Sequence, residues 1–137
     1  MYVFKTSGAT LRSVVAHQKH AFAGRPRDWA PHELVLVSKN RADCAHGEKQ
    51  IQYVMKIRNI RGLHPGEAES LWPGNEGRWK YLVDCYDTHA LGAPFNLRDV
   101  LGERANAYDP VMTHKKVTRA DEQRLLDHLR RQDSVAL

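Results

Sequence analysis

Cysteine is scarce in this 137-residue chain: Cys44 and Cys85 stand 41 positions apart, and no Cys-x-x-Cys pair occurs. That spacing excludes a zinc ribbon and offers no disulfide framework, so two reduced thiols are expected. Long apolar runs are missing too. None approaches the roughly 18 residues that a membrane-spanning helix requires. The opening Met1-Tyr-Val-Phe-Lys-Thr6 has no basic segment followed by an apolar one, so no signal peptide is expected and the reading is cytoplasmic. Catalytic signatures are equally thin, with no Gly-x-Ser-x-Gly elbow, no phosphate-cradling glycine-rich loop and no His-Glu-x-x-His helix. Of eight histidines, only His17 and His20 share a helical i, i+3 spacing. No cysteine or carboxylate lies beside them to complete a metal site. Neither metal nor cofactor is expected. Repeats, low-complexity segments and linkers are absent, so residues 1–137 read as one domain.

What is present belongs to a globular chain with a real core: 42% of residues are apolar and 27% charged. The net charge of +5 suits phosphate-bearing partners yet falls well short of histone-like density. Basic residues recur in three clusters, Lys39 with Arg41, Lys56 with Arg58 and Arg61, and His114-Lys115-Lys116 with Arg119. Each alone is an ordinary solvated face. Around a common pocket, such residues hold a phosphate backbone without reading sequence.

Periodicity supplies the elements. Tyr2 to Thr6 reads as a strand, and Leu11, Val14 and Val15 at helical spacing predict a helix from Thr10 to His20. Gly24 to Pro31 is a loop. Glu33 to Ser38 is an apolar run of strand length. From Gln50 to Ile60 the alternation is clear: Ile51, Tyr53, Met55 and Ile57 form a core face, while Gln50, Gln52, Lys56 and Arg58 form a wet, basic one. A short helix at Glu67 to Leu71 interrupts a long connection, and Trp79 to Tyr86 is a further strand. Another extended piece is expected at Ala93 to Leu97. Thr118 and Asp121 form a capping box ahead of a last helix over Arg119 to Arg131. The fold class is α+β: a small barrel or strongly curled mixed sheet with flanking helices, since closure removes exposed strand edges.

The aromatic residues carry the functional signal. Trp29 stands in a proline-rich loop, and Trp72 precedes Pro-Gly in Trp72-Pro-Gly-Asn-Glu-Gly-Arg-Trp79. Indoles placed on loops beside strand ends line flat-ligand pockets, and each stacked base contributes about 1–3 kcal/mol. Trp79, at the first position of a strand, reads as a core residue. Ser7, Ser38 and Asn40 fall just past strand ends, where polar groups converge on a ligand edge; their simpler role is capping and turn formation.

Four segments in order resemble the PUA-like superfamily, and within it the EVE and YTH domains. Tyr2-Val-Phe-Lys-Thr-Ser7 is similar to their first strand, Glu33 to Asn40 to their second, and Tyr53-Val-Met-Lys-Ile-Arg-Asn-Ile60 to the strand that follows. Trp79 to Cys85 with Ala93-Pro-Phe-Asn-Leu97 resembles the late strand and its apolar continuation. The resemblance implies a non-catalytic module that captures a flipped, chemically modified base, of DNA or RNA, in an aromatic cage. It places Thr6, Ser7, Trp29, Ser38, Asn40 and Trp72 around the base and Lys5, Lys39, Arg41, Lys115 and Lys116 along the backbone. The EVE opening Lys-Ser-Glu-Pro is here Lys5-Thr-Ser-Gly8. An alternative rests on Gly47-Glu48-Lys49 with Gln52, which resembles the Gly-x-Lys-x-x-Glu pattern of ASCH domains. That implies a small amide hydrolase of acylated nucleosides using Lys49 or Lys5, with glutamine where the family has a carboxylate. A protein-interaction module is the third reading. The oligomeric state stays open.

Overall fold

Aromatic and β-branched residues at the start of the chain form β1 (Tyr2–Thr6) directly. The computed structural model describes residues 1–40, 48–74 and 77–132, apart from the side chains of Ala9 and Asn40. Ser7 ends β1 and caps α1 (Gly8–His17): Thr10 N–H donates to its hydroxyl, and its own N–H donates to the Thr10 hydroxyl. The helix stops three residues earlier than its periodicity suggests. Gln18 turns left-handed at φ 53°, and its side-chain oxygen accepts from the Thr88 N–H and hydroxyl. A tertiary contact thus overrides helical propensity, and Lys19–Phe22 becomes a strand, β2, that the sequence reading merged into the helix.

The order continues with β3 (Leu34–Asn40), β4 (Lys49–Gly62), α2 (Glu67–Leu71) and β5 (Tyr81–Asn96). After these come α3 (Leu97–Leu101), a 3-10 turn at Gly102–Ala107, β6 (His114–Lys116) and α4 (Arg119–Arg130). The sheet runs β2-β5-β4-β3-β1-β6, with β1 and β3 parallel and every other pair antiparallel. Register slips at three points between the two long strands β4 and β5. Each irregularity adds bend and twist, and the sheet curls into a half-barrel.

Both faces of the sheet are covered. On one, Tyr2, Phe4, Val37, Met55 and Ile57 cluster with Val14 of α1. On the other, Val3, Leu36, Ile51 and Val54 cluster with Leu97 of α3 and with Leu125 and Leu129 of α4. The wet face expected of β4 is therefore only partly wet. Val54 lies buried on it, and Lys56 ion-pairs with Asp87 at 3.1 Å. Among the described residues no helix is long and apolar enough to cross a membrane.

Thr118 caps α4, but its own N–H donates to the Tyr108 hydroxyl, so the expected capping box is only half formed. The Asp121 carboxylate serves a buried network instead. It is fully buried and accepts from Tyr108 Oη at 2.6 Å, Thr118 Oγ1 at 2.8 Å and Arg104 Nε at 2.5 Å. Those donors, led by Arg104, hold its carboxyl far below the usual carboxylate range. Asp121→Ala strands the buried Tyr108 hydroxyl, so urea unfolding should show a loss of about 2–4 kcal/mol. An unchanged midpoint would mean that the network contributes nothing.

Candidate functional site

Edge strands β2 and β6 stand at opposite ends of the strand order, yet the curl brings their side chains together. Phe22 lies 4.7 Å from the His114 ring and 5.0 Å from the Phe4 ring, centroid to centroid. His20 stacks on Phe22 at 4.4 Å. Its Nδ1 accepts from the Ala21 N–H at 2.8 Å, which makes Nε2 the protonated nitrogen. That Nε2–H donates to the Lys5 carbonyl at 2.8 Å, joining β2 to β1 across the gap. Burial drives the His20 pKa down to about 4, so the ring is neutral at pH 7. Burial also lowers the His114 pKa, and its Nδ1 has no hydrogen-bond partner among the described residues.

A cavity of about 150 Å³ opens at this seam. Lys5, Thr6 and Ser7 reach it from the end of β1, Thr10 from α1, and His20, Ala21 and Phe22 from β2. Trp72, Arg78 and Trp79 come from the loop before β5, and Met112 and Thr113 from the approach to β6. Two glycines shape that loop. Gly74 at φ 87° and Gly77 at φ 71° occupy left-handed conformations that a side chain disfavours. The turn brings the two indoles edge to face, 5.3 Å apart at 74°. The Arg78 guanidinium sits 5.7 Å from the Trp79 ring centroid. Among the described residues the lining is thus aromatic, hydroxyl-bearing and cationic, with no carboxylate in it.

Of the residues read from sequence, Lys5, Thr6, Ser7 and Trp72 meet at this cavity. Their hydroxyls are partly committed. Thr6 donates to the Ser38 carbonyl at 2.8 Å, and Ser7 serves the helix cap. Ser38 itself is fully buried and donates to the Phe4 carbonyl at 2.8 Å, so it knits β3 to β1 away from the cavity. Trp29 is half-buried against the Tyr2–Phe4 cluster and does not line the cavity. Trp79, read as core, packs against the buried cluster of Ala21, Trp72 and Leu82 and lines the cavity as well; β5 begins two residues later than expected, at Tyr81.

The expected backbone-binding cations are scattered. Lys39 ends near Gly8: a Cβ at that glycine would stand 3.6 Å from its Cε. Lys115 is exposed on β6. Lys116 is committed elsewhere, with its ammonium 2.8 Å from both Glu33 carboxylate oxygens and 5.0 Å from the Tyr2 ring centroid. Arg61 likewise forms a two-pronged pair with Glu67. Arg41 and the Asn40 side chain lie outside the described residues, as does Cys44.

His20, Phe22, Arg78, Met112 and Thr113 were missed in the sequence. The signal for β2 was hidden because the helical spacing of α1 runs on without a break.

A second polar group lies apart from the cavity lining. Lys49 is fully buried, and burial, helped by the Lys5 charge, pushes its pKa down to about 8. Its N–H donates to Asp109, which also pairs with Arg98 at 3.0 Å. Among the described residues, no three His, Cys, Asp or Glu side chains converge as metal ligands would.

Neither a protein-family model nor a curated protein matches the chain by sequence. Solved structures do match by shape. The ASCH protein of Zymomonas mobilis superposes with a TM-score of 0.63 at 12% identity, over 98% of this chain and 97% of that one. A tyrosine-to-phenylalanine variant of it gives 0.62 at 12% identity over 92% and 96%, and a serine-to-alanine variant 0.60 at 12% over 93% and 94%. The likeness shows the fold alone, a curled mixed α+β half-barrel sheet with flanking helices like that of the ASCH structures. These neighbours are ASCH domains, so the nearness to EVE and YTH domains read from the sequence stays an expectation.

Acid should open the seam. The ordinary histidine value is 6.5 and that of folded His20 about 4, so between these pH values the unfolded chain binds more protons. Stability falls as pH drops through that window, by up to about 3 kcal/mol from this residue. His20→Gln should be less stable at pH 7 but show a flatter decline between pH 6.5 and 4 in denaturant titrations. Parallel curves for the two proteins would remove His20 from the account.

Proposed function

We propose that the chain is a non-catalytic nucleic-acid-binding module that receives one flipped, chemically modified base in the seam cavity. The observation that carries this reading is the convergence of Trp72, Trp79, Phe22 and His20 with Lys5 and Arg78 on a single opening. Aromatic walls supply stacking that any base can use, and cations at the lip favour the attached phosphates. The size is informative. A cavity near 150 Å³ accommodates one benzene-sized ring, so a pyrimidine, or the six-membered ring of a purine, is the part that enters. Among the described residues the lining offers donors and no carboxylate, which suits the acceptor-rich edge of a base. The PUA-like fold is compatible with this role and does not by itself assign it.

Fluorescence titration of the indoles with single strands that differ at one base tests the reading. Modified strands should bind more tightly than unmodified ones, and Trp72→Ala or Trp79→Ala should weaken binding by about fivefold or more. Affinity should fall with added salt. Equal affinity across a full panel of modified and unmodified strands counts against the proposal.

One observation favours a second reading. A buried lysine whose pKa is pushed down to about 8 is neutral more often than an exposed one and can act as a base or nucleophile. With ASCH proteins as structural neighbours, an amide hydrolase of acylated nucleosides is the alternative. It predicts turnover of such substrates that Lys49→Met abolishes while the fold, followed by circular dichroism, persists. No turnover across a series of acylated nucleosides retires it.

A further inference from the structure

The first turn of α1 separates two openings. Ser7 and Thr10 face the seam cavity. On the other side, Gly8, Leu11, Arg12, Val15, Ala16 and Tyr53 line a cleft of about 400 Å³. We propose that this cleft holds the nucleotide adjoining the captured base, so that the protein reads two consecutive positions of one strand; the inference rests on the base-binding reading above. The cleft has what a second base needs. Tyr53 of β4 is half-buried, and Leu11 and Val15 of α1 give it an apolar opposite wall. Arg12 is exposed at the same cleft, and among the described residues no carboxylate lines either opening.

The two linings meet at neighbouring positions of one turn, Ser7 and Thr10 on the seam cavity and Gly8 and Leu11 on the cleft, so the path from one opening to the other crosses this turn. Gly8 sits on that path without a side chain, and a Cβ there would lie 3.9 Å from the Lys39 ammonium. A phosphate crossing the turn would therefore meet exposed backbone flanked by Lys39 and Arg12. An apolar peptide has no use for those cations, and a lone nucleoside does not reach both openings.

The test compares two ligands on the intact protein, a base-modified mononucleoside and a single-stranded trinucleotide with the same modification at its centre. Wild type should bind the trinucleotide more tightly. Tyr53→Ala should cost the trinucleotide about 5- to 150-fold, the range for one lost base stack, and leave the mononucleoside unchanged. Tyr53→Phe should retain the wild-type affinity. Arg12→Ala, at an exposed position, should also weaken the trinucleotide alone. Trinucleotide affinity indifferent to both Tyr53→Ala and Arg12→Ala overturns the second subsite while the base-binding reading stands. If neither ligand binds wild type, both fall. Should Tyr53→Ala weaken the two ligands equally, Arg12→Ala decides, and an unchanged trinucleotide affinity in that variant overturns the inference.

Discussion

One side-chain bond joins β2 and β1, first and fifth in the strand order: the His20 imidazole donating to the Lys5 carbonyl. The sheet is sewn by backbone ladders from β2 round to β6, but among the described residues none joins those two end strands to each other. The gap is held instead by that imidazole and by the packed rings of Phe4, Phe22 and His114. A neutral histidine is well suited to the task. One nitrogen accepts from its own strand while the other donates across, and both needs are met without a charge in the interior.

The cavity is a by-product of the same arrangement. Where two edges approach without pairing, a space remains, and three short segments furnish it. The end of β1 turns into a capped helix, the loop before β5 delivers two indoles and a guanidinium, and the approach to β6 supplies Met112 and Thr113. Met112 is the one large apolar side chain markedly exposed among the described residues, at 68%. It lines the cavity. On the opposite side of the sheet the molecule is conventional: α3 and α4 seal Ile51, Val54 and Leu97, and Asp121 fixes how α4 begins.

The sequence made the long-range plan legible where periodicity was strong. β1, β3, β4, α2 and α4 follow from alternation, apolar runs and caps, and the curled α+β class follows from their order. It was silent where tertiary contacts decide. Nothing local in Gln18-Lys-His-Ala-Phe22 marks the end of a helix, because the left-handed turn at Gln18 is held by Thr88, seventy residues away. With β2 hidden, the seam and its histidine were hidden too. Trp72 lines the cavity while buried with Ala21 and Leu82, Trp79 packs against that cluster and lines the cavity too, and Trp29 packs against the Tyr2–Phe4 cluster away from it. Ser38 shows the general difficulty. A hydroxyl at a strand end serves equally well as ligand contact or interstrand clasp, and only the neighbouring strand determines which.

The unsewn edge has an evolutionary corollary. A binding slot walled by backbone ladders can be resized only by moving strands, whereas this aperture is bounded by rings and aliphatic tips. Exchanging Phe22, Met112 or Trp79 for bulkier or slimmer side chains would recut it while every ladder stays in register. A single scaffold of this kind can therefore change the shape of its cavity by point substitution.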